Sequence, residues 1–383
     1  MKILGIETSC DDTGIAVLKV KRTKIPVFDI QSNIISSQTE IHKKYGGVYP
    51  IMARREHQKN LVPVLNKALK EAGLLRTKRA LIKNLRGIDK ILEREKDLSK
   101  DLIIFLQKYA KPDIDLIAVT NGPGLDPCLW VGVNFAKALS CFWDIPIIPV
   151  NHIEAHTLVN LINSKPGNLF PAIALIVSGG HTQLILVKNI GKYKILGETR
   201  DDAAGECFDK TARILGLDYP GGPAIAQKAS GLKDTSKFGI KLPQPMINSK
   251  DYDFSFSGLK TAVLYAHLKK SAKIKKDKEY ICEMAKEIQQ SIIDVLIKKT
   301  ITAARDYKTK AIILGGGVTA NKELRKQFTE NIKKNLPNVQ QLVPDTELCT
   351  DNGVMAAITG YFHSGKTKNW KSIKAEPNLR VGE

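Results

Sequence analysis

The alternation of apolar and polar positions predicts two similar hairpins, one at the start of each half of the chain. Apolar runs of strand length at Lys2–Glu7 and 14–20 flank a short polar turn. The same order returns at Ala172–Val177 and 184–188, where the intervening turn is the small polar stretch 178–182. Because the same strand–turn–strand unit opens both halves, we expect a duplicated domain.

Strand-like and helical patterns alternate through the remainder of the chain. Short apolar runs, typical of buried strands, are followed by longer stretches with apolar residues at helical spacing. This alternation predicts an α/β fold with mixed sheets covered by helices. The predicted strands are 115–120, 146–150 and 311–314, and the predicted helices are 57–72, 132–143, 151–162, 279–304 and 321–334.

One basic segment, 76–100, interrupts this alternation. It holds nine Lys or Arg and four Asp or Glu, and its apolar residues recur at helical spacing, which predicts a single inserted amphipathic helix. Such a helix is either a solvated surface element or a contact with a partner or with RNA. The apolar residues of this segment are Leu81, Leu85, Ile88, Ile91 and Leu92.

The charge balance points toward a polyanionic partner. Lys and Arg number 59 against 39 Asp and Glu, a formal net charge of +20. A surplus of this size suits nucleic acid, although a lysine-rich proteome would also produce it. Hydrophobic residues make up 43% of the chain, which is enough for a large core and excludes global disorder.

Cysteine usage and the N-terminus indicate a cytoplasmic protein. The six cysteines are scattered without a CxxC pair, which favours reduced thiols over a disulfide framework. The N-terminus lacks the apolar stretch of a signal peptide. No apolar run approaches the roughly 20 residues of a membrane helix, so we expect no membrane association.

Two histidines four residues apart, His152 and His156, form a candidate metal site. At this spacing on a helix both rings lie on one face and can reach one cation. Two unrelated histidines would also occur at this spacing by coincidence. Glu154 lies about 200° around the helix from His152 and would face away from a metal. The zinc-protease signature needs Glu directly after the first His, so a metalloprotease is disfavoured.

Two glycine-rich turns are candidate phosphate-binding loops. In Ser178-Gly-Gly-His-Thr182, adjacent glycines allow close backbone approach and positive φ, although a plain hairpin turn explains them equally well. In Leu314-Gly-Gly-Gly-Val-Thr-Ala-Asn321, three glycines follow a strand and lead into a helix, a usual place for a nucleotide. Neither turn is a P-loop.

Two further acidic residues have both a structural and a functional interpretation. Asp209 lies on a predicted helix near glycine turns, where it could bind ribose hydroxyls or serve as part of a surface cluster. Asp351 begins a predicted helix, where Asp is a good N-cap. An exposed Asp at a helix start is also a candidate third ligand for the His152–His156 metal.

Taken in order, these segments resemble the TsaD family of tRNA N6-adenosine threonylcarbamoyltransferases in its bacterial and mitochondrial form. The resemblance leaves out only the 76–100 segment and parts of both termini. The sequence Asp202-Ala-Ala-Gly-Glu206 favours the bacterial type over the archaeal one. The other motifs are Gly5-Ile-Glu-Thr-Ser-Cys-Asp-Asp-Thr-Gly14, Tyr45-Gly-Gly-Val48, Asn121-Gly-Pro-Gly-Leu125, the His152 motif, 178–182, Ser255-Phe-Ser-Gly-Leu-Lys-Thr-Ala262, 315–321 and Asp351-Asn-Gly353.

The resemblance implies a fold of the actin, hexokinase and chaperone-ATPase type (ASKHA), with two related lobes and a cleft between them. We expect the first lobe to comprise 1–150 together with 352–383, which returns to it. The second lobe, 151–351, would carry the metal and nucleotide motifs. The 76–100 segment is then an insertion in the first lobe, where relatives dock their partner proteins.

The resemblance also implies the reaction. The family transfers threonylcarbamoyl from threonylcarbamoyl-AMP to N6 of adenosine 37 in tRNAs that read ANN codons. It implies one divalent metal per subunit, Fe²⁺ in the first place with Zn²⁺ as the alternative, and accessory subunits of the TsaB and TsaE type. The implied metal ligands are His152, His156 and Asp351, and the implied substrate-binding residues are Ile176, Val177, Ser178, Gly179, Gly180, Asp209, Gly222 and Asn321.

Three positions depart from the family pattern. Asp12 stands where bacterial relatives usually have Glu, which puts its reach toward a substrate in doubt. Ile51 follows Pro50 where an acidic residue is common. Ala226 replaces an Asp at a nucleotide contact, so that contact is not expected here.

Two other functions are compatible with such a fold. A kinase or ATPase would share the nucleotide cleft, but Mg²⁺ on the nucleotide would suffice and the His pair would have no purpose. A non-catalytic partner subunit would bind nucleotide and protein only, and we would expect it to have lost the metal ligands.

Overall fold

The structure is a computed structural model that describes residues 1–21, 23, 25–78, 86–162, 164, 168–231 and 237–382. Its framework is two five-stranded mixed sheets. The first sheet contains β1 (Lys2–Glu7), β2 (Thr13–Lys21), β3 (Val27–Ser36), β4 (Leu116–Gly122) and β5 (Ile147–Asn151). The second contains β6 (Ala172–Val177), β7 (Thr182–Asn189), β8 (Lys192–Glu198), β9 (Ala311–Gly315) and β10 (Gln340–Leu342).

The two sheets have the same topology, which confirms the predicted duplication. Their strand orders are β3-β2-β1-β4-β5 and β8-β7-β6-β9-β10. In each sheet the first three strands form an antiparallel meander, and the last two add in parallel beside the first strand. The predicted α/β class with duplicated mixed sheets flanked by helices is therefore correct.

Helices cover both sheets and also fill the space between them. One apolar core lies outside each sheet, and a third core lies between the sheets. The helices are α1 (Thr39–Lys43), α2 (Pro50–Glu71), α3 (Arg86–Ile91), α4 (Lys96–Lys108), α5 (Asp126–Trp143), α6 (His152–Leu158), α7 (Ala204–Ile214), α8 (Gly221–Ser230), α9 (Ser257–Leu268), α10 (Ala272–Lys275), α11 (Lys278–Asp306), α12 (Lys322–Asn335) and α13 (Gly353–Phe362).

The prediction of one continuous helix over 76–100 is wrong. The described part contains α3 and the start of α4, separated by a turn that ends at Glu95. The side chain of Glu95 is buried and faces Asn134 and Arg54, so the chain turns inward and the helix is interrupted. Ile88 and Leu92 are buried in the first core, while Leu81 and Leu85 lie outside the described residues.

Helices α6 and α13 pack against each other between the two sheets. α6 follows β5 of the first sheet and also contacts β6 and β9 of the second. α13 follows β10 of the second sheet but packs on β1, β2 and β4 of the first. The last strand of each half therefore leads into a helix of the central layer, and both helices begin near the same point. The division into lobes at 150/151 and 351/352 stays a prediction.

Glycine permits the closest approach between α13 and the first sheet. A Cβ added at Gly5 on β1 would overlap the carbonyl oxygen of Gly353 and would come within 2.9 Å of the Ala357 side chain. The helix axis could not lie this close to the strand with any larger residue in place of Gly5.

We expect Gly5→Ala to lower the free energy of unfolding by about 3 kcal/mol, because the added methyl group must push α13 away from β1. Gly365→Ala is the matched control, since a Cβ there would have no neighbour within 4 Å. Chemical denaturation measures both variants. Equal effects of the two substitutions would contradict the close approach.

Candidate metal and nucleotide site

The two histidines are placed by the cap of α6. The Asn151 side chain accepts hydrogen bonds from the amides of Ile153 and Glu154, at 2.9 and 3.0 Å, and so starts the helix at His152. His152 and His156 then lie one turn apart, with ring centroids separated by 4.6 Å. Both rings are buried, as the predicted shared helix face requires.

Asp351 reaches the same point from the start of α13. The N-cap of α13 is Asn352, whose side chain accepts from the Met355 amide at 3.1 Å, so of the two interpretations of Asp351 the structural one, as N-cap, is wrong. The carboxylate of Asp351 is free to turn toward the histidines. Its Oδ1 atom lies 3.1 Å from His156 Nε2 and 3.7 Å from His152 Nε2.

The three side chains form a candidate metal site. One ligand atom from each of His152, His156 and Asp351 lies within 4.8 Å of the other two. Ligands around a small divalent ion with bonds of about 2.1 Å are spaced by roughly 3 to 3.5 Å, close to the two distances found here. The Nδ1 atom of His156 is buried without a hydrogen-bond partner among the described residues. The donor set fits a metal such as iron or zinc.

Two residues that were not predicted as ligands or substrate contacts, Glu7 at the end of β1 and Ser9 just after it, support His152. Ser9 Oγ lies 3.1 Å and Glu7 Oε2 lies 3.4 Å from His152 Nδ1. Glu7 is fully buried, and it also accepts hydrogen bonds from the Ser9 amide and the Thr120 hydroxyl. A carboxylate behind a ligand histidine fixes the ring orientation and raises its basicity. The early acidic residue at the end of β1 was the available signal.

Opposite charges stabilise each other within this cluster. Burial alone would lower the pKa of His152, but the carboxylates of Asp351 and Glu7 outweigh it and raise the pKa to about 9. Burial likewise acts to raise the pKa of Asp351, but the neighbouring His152 and His156 hold it well below its usual range. The buried acidic groups therefore favour positive charge at this point of the structure.

Glu154 faces away from the candidate metal site, as predicted. Its Oε1 atom accepts a hydrogen bond from the Tyr193 hydroxyl at 2.7 Å and lies 2.7 Å from His363 Nε2. Neither partner belongs to the His152, His156 and Asp351 cluster. These contacts argue against a role for Glu154 in activating a metal-bound water.

The 178–182 turn lies beside the histidines and is open. Ile176 and Val177 end β6, and the Ser178 amide donates to the carbonyl of His181 at 2.8 Å, which closes the turn. A Cβ at Gly179 or Gly180 would have no neighbour within 4 Å. Neither glycine has a positive φ, so the turn does not use the left-handed conformation that glycine allows, while the space for a ligand to approach the backbone is present.

His181 joins this turn to the metal ligands. Its ring centroid lies 6.1 Å from that of His152. Burial first, and then the neighbouring His152 and His156, lower the pKa of His181 to about 4. The ring is therefore neutral at physiological pH.

The triple-glycine loop after β9 packs the site together. A Cβ at Gly315 would lie 2.6 Å from the His156 carbonyl oxygen, and one at Gly316 would overlap the Val177 carbonyl oxygen. Gly316 also has a φ of +90°. The loop therefore brings the end of β9 against both α6 and β6. This packing role accounts for two of the three glycines without any nucleotide.

Asn321, which was predicted to contact a nucleotide, forms hydrogen bonds within the protein. Its Oδ1 atom caps α12 by accepting from the Leu324 amide at 3.0 Å, and its Nδ2 atom donates to Gln289 Oε1 at 2.8 Å. These two hydrogen bonds tie Asn321 to α12 and to α11. A contact between Asn321 and a nucleotide stays a prediction.

Asp209 lines a cavity between the two halves, and Gly222 follows the residue whose amide donates to Asp209. Asp209 on α7 accepts a hydrogen bond from the Gly221 amide at 2.7 Å, which places it beside Gly222 at the start of α8. Burial raises the pKa of Asp209 to about 6. The cavity has a volume of about 460 Å³ and is lined by Lys43, Lys44, Tyr45, Gly46, Asp209, Arg213, Leu217, Asp218 and Tyr219.

The structure shows the surroundings of two of the three residues that differ from the family pattern. Asp12 lies in the turn after β1, and its Oδ1 atom is buried without a hydrogen-bond partner among the described residues. Burial, followed by the charges of Asp11 and Asp351, raises the pKa of Asp12 to about 7. Ile51 lies in the first turn of α2 with 56% of its surface exposed. Nothing in the structure explains the substitution at Ala226.

In the described part of the chain, no helix is both long and apolar enough to cross a membrane.

Comparison with known proteins identifies the family. The sequence profile of the family described as TsaD: tRNA N6-adenosine threonylcarbamoyltransferase matches residues 29–82 and 104–358. The unmatched stretch between these ranges, 83–103, overlaps the 76–100 segment, whose status as an insertion stays a prediction.

Curated relatives match over the full length. The tRNA N6-adenosine threonylcarbamoyltransferase of Persephonella marina is 42% identical over 387 residues, which cover 100% of this chain and 96% of the relative. The enzyme of the same name from Thermosipho africanus is 43% identical over 383 residues and covers 100% of both chains.

A solved structure agrees on the fold. Full-length HypF in a phosphate- and nucleotide-bound form superimposes with a TM-score of 0.51 at 11% identity, covering 96% of this chain and 56% of HypF. At this identity the similarity concerns the ASKHA-type fold alone. The profile match and the full-length relatives carry the assignment: the chain belongs to the TsaD family of tRNA N6-adenosine threonylcarbamoyltransferases and is a transferase.

Proposed function

We propose that this enzyme transfers threonylcarbamoyl from threonylcarbamoyl-AMP to N6 of adenosine 37 in tRNAs that read ANN codons, and that it does so in the cytoplasm. The observation that supports this most is the convergence of His152, His156 and Asp351 beside the open turn at Gly179 and Gly180. Metal ligands and unobstructed backbone amides at one place suit a phosphate-linked, already activated donor.

The three ligands would hold one divalent metal, Fe²⁺ in the first place with Zn²⁺ as the alternative. A bound metal supplies Lewis-acid chemistry, which polarises carbonyl and phosphate oxygens. Three protein ligands leave positions free, as a catalytic site needs. Glu7 and Ser9 keep the His152 ring turned toward the site through its Nδ1 atom.

The second half of the chain binds the donor. The amides of Gly179 and Gly180 donate hydrogen bonds to the phosphate, which costs no reorganisation because the neighbouring Ser178 amide already closes the turn; Ser178 contacts the donor beside them. Asp209 accepts hydrogen bonds from ribose hydroxyls. The other residues proposed to contact the donor are Ile176, Val177, Gly222 and Asn321.

The reaction itself is an acyl transfer. The N6 amine of the adenine forms a bond to the carbamoyl carbonyl carbon, the bond from that carbon to the phosphate oxygen breaks, and AMP leaves while the amine loses a proton. The chain's task is to orient both substrates and to stabilise negative charge on the carbonyl and phosphate oxygens. Accessory subunits of the TsaB and TsaE type are the proposed protein partners.

We expect the anaerobically purified protein to contain one divalent metal per chain. His156→Ala and Asp351→Asn should each weaken metal affinity more than about 100-fold, since even residues that only support a ligand contribute 10- to 100-fold. Elemental analysis and competition with a chelator measure the affinity. Glu154→Gln is the matched control and should keep the metal, because Glu154 faces the other side of α6. Full metal content in both ligand variants would contradict the site.

We expect the wild-type protein, with the accessory subunits its host encodes, to convert adenosine in an ANN-decoding tRNA when threonylcarbamoyl-AMP is supplied. His156→Ala should lower the rate at least about 1,000-fold, because Lewis-acid stabilisation contributes several kcal/mol. Nucleoside mass spectrometry measures the product. Steady ATP hydrolysis with a small-molecule acceptor, and no modified nucleoside, would favour the kinase alternative instead.

We expect Asp12 to make the metal-free protein less stable as the pH rises. The Asp12 carboxyl in the unfolded chain loses its proton near pH 4, and in the folded protein near pH 7, so the folded state binds more protons in this window. The free energy of unfolding then falls with rising pH. Asp12→Asn should therefore be about 2 to 4 kcal/mol more stable than wild type at pH 8, with little gain at pH 4.

Chemical denaturation in the presence of a chelator at both pH values measures this difference. Asp29→Asn on β3 is the matched control, because its side chain is exposed. A gain that does not change with pH would show that the burial of Asp12 has no cost in the folded state.

A further inference from the structure

Helix α9 begins next to the candidate site. The carboxylate of Asp201 accepts hydrogen bonds from the amides of Phe256 and Ser257 at 2.8 and 3.2 Å, which ties the first turn of α9 to the residues that precede α7. α7 in turn abuts the open turn, since the Gly205 amide donates to the Ser178 carbonyl at 3.2 Å. Two short links therefore connect the start of α9 to the proposed donor site.

The outer face of α9 is apolar and exposed. Leu259 and Val263 are buried in the core outside the second sheet. On the other side of the helix Leu264 is 36% exposed, Tyr265 60% and Leu268 56%. Two leucines and a tyrosine thus form a contiguous exposed apolar strip toward the far end of α9.

Lysines follow this strip directly in the chain. The stretch 269–278 contains six lysines and one acidic residue, Asp277, whose carboxylate is occupied in capping α11. Within the described residues none of the six lysines forms an ion pair; the lysines of the second half that do are Lys210, Lys237 and Lys299. Their charge is therefore free to attract an anionic partner.

We propose that α9 and the lysines 269–278 form the docking surface for the RNA stem that carries the modified adenosine. This inference rests on the proposed function, because it assumes a tRNA substrate. α9 has 12 residues and spans about 18 Å, so a nucleic acid whose base enters the site would pass along the helix toward the lysines. Lysines neutralise phosphates, and Tyr265 offers an aromatic face for a ribose or a base.

The composition of the surface favours RNA over a protein partner. Protein–protein interfaces are depleted in lysine at their cores, whereas RNA-binding surfaces combine cationic side chains with exposed aromatic rings. The excess of lysine here also matches the net charge of +20 on the whole chain.

The test compares two triple substitutions in the full-length protein. One variant replaces Lys269, Lys273 and Lys276 by Gln. The control replaces Lys188, Lys192 and Lys194 by Gln, which are equally exposed and lie at the end of β7 and on β8, away from the open turn. Binding of an unmodified ANN-decoding tRNA is measured by filter binding from 50 to 300 mM salt.

We expect the lysine variant, in which Lys269, Lys273 and Lys276 are replaced by Gln, to bind tRNA at least about tenfold more weakly at 0.15 M salt. The magnitude of its slope of log affinity against log salt should fall by roughly 2 to 3. The control should lose less than about twofold. Equal losses in both variants would mean that overall charge alone binds the RNA, which would overturn the proposal.

Two more outcomes separate the alternatives. If Leu264→Ser with Leu268→Ser abolishes binding of an accessory subunit while the lysine variant binds tRNA normally, the surface docks a protein and the proposal is wrong. With saturating tRNA, the lysine variant should recover the wild-type transfer rate, because only KM changes. If wild-type protein binds tRNA but transfers nothing, the proposed function fails while the binding comparison still tests the surface.

Discussion

The buried contact between α6 and α13 is the constraint on which the rest of the candidate site depends. Each helix follows the last strand of one half and enters the layer between the sheets, so that both begin at the same point. His152 and His156 come from the first turns of α6, and Asp351 comes from the residue before the cap of α13. The glycines at positions 5 and 315 make this convergence sterically possible, because a side chain at either would displace one of the helices.

Close packing also sets the electrostatic requirements of the site. Two histidines and a carboxylate are held out of water, where an isolated charge would be very unfavourable. Their mutual pairing and the fully buried Glu7 offset much of that cost, which is why the pKa of His152 rises to about 9 although burial alone would lower it. A bound cation would take the place of these internal partners. The same groups that would bind a metal therefore keep the cluster stable without it.

Local patterns were sufficient to predict seven of the ten strands that the structure describes, several of the helices and the pairing of His152 with His156, because each of these depends on periodicity over a few residues. The turn ending at Glu95 was not predictable, since it depends on where that side chain meets Asn134, 39 residues away in sequence. The support that Glu7 gives His152 likewise joins residues 145 apart. Asp351 was found as a candidate ligand, but its role as N-cap passed to Asn352, a choice that one residue of register decides.

The duplication places two equivalent turns against the candidate metal site, and the residues of the two turns differ in their chemistry. The turn between β1 and β2 carries Asp11 and Asp12, whose pKa values are raised first by burial and then by a nearby carboxylate, that of Asp351 for Asp11 and that of Asp11 for Asp12. The turn between β6 and β7 instead offers open glycine amides and a neutral His181. An acidic turn repels a phosphate and free amides attract one, so the proposed anionic donor would be directed to the second half of the chain. The first half then contributes acidic groups that favour a cation between the two turns. The difference between the duplicated turns would therefore fix which half of the chain receives the donor's phosphate.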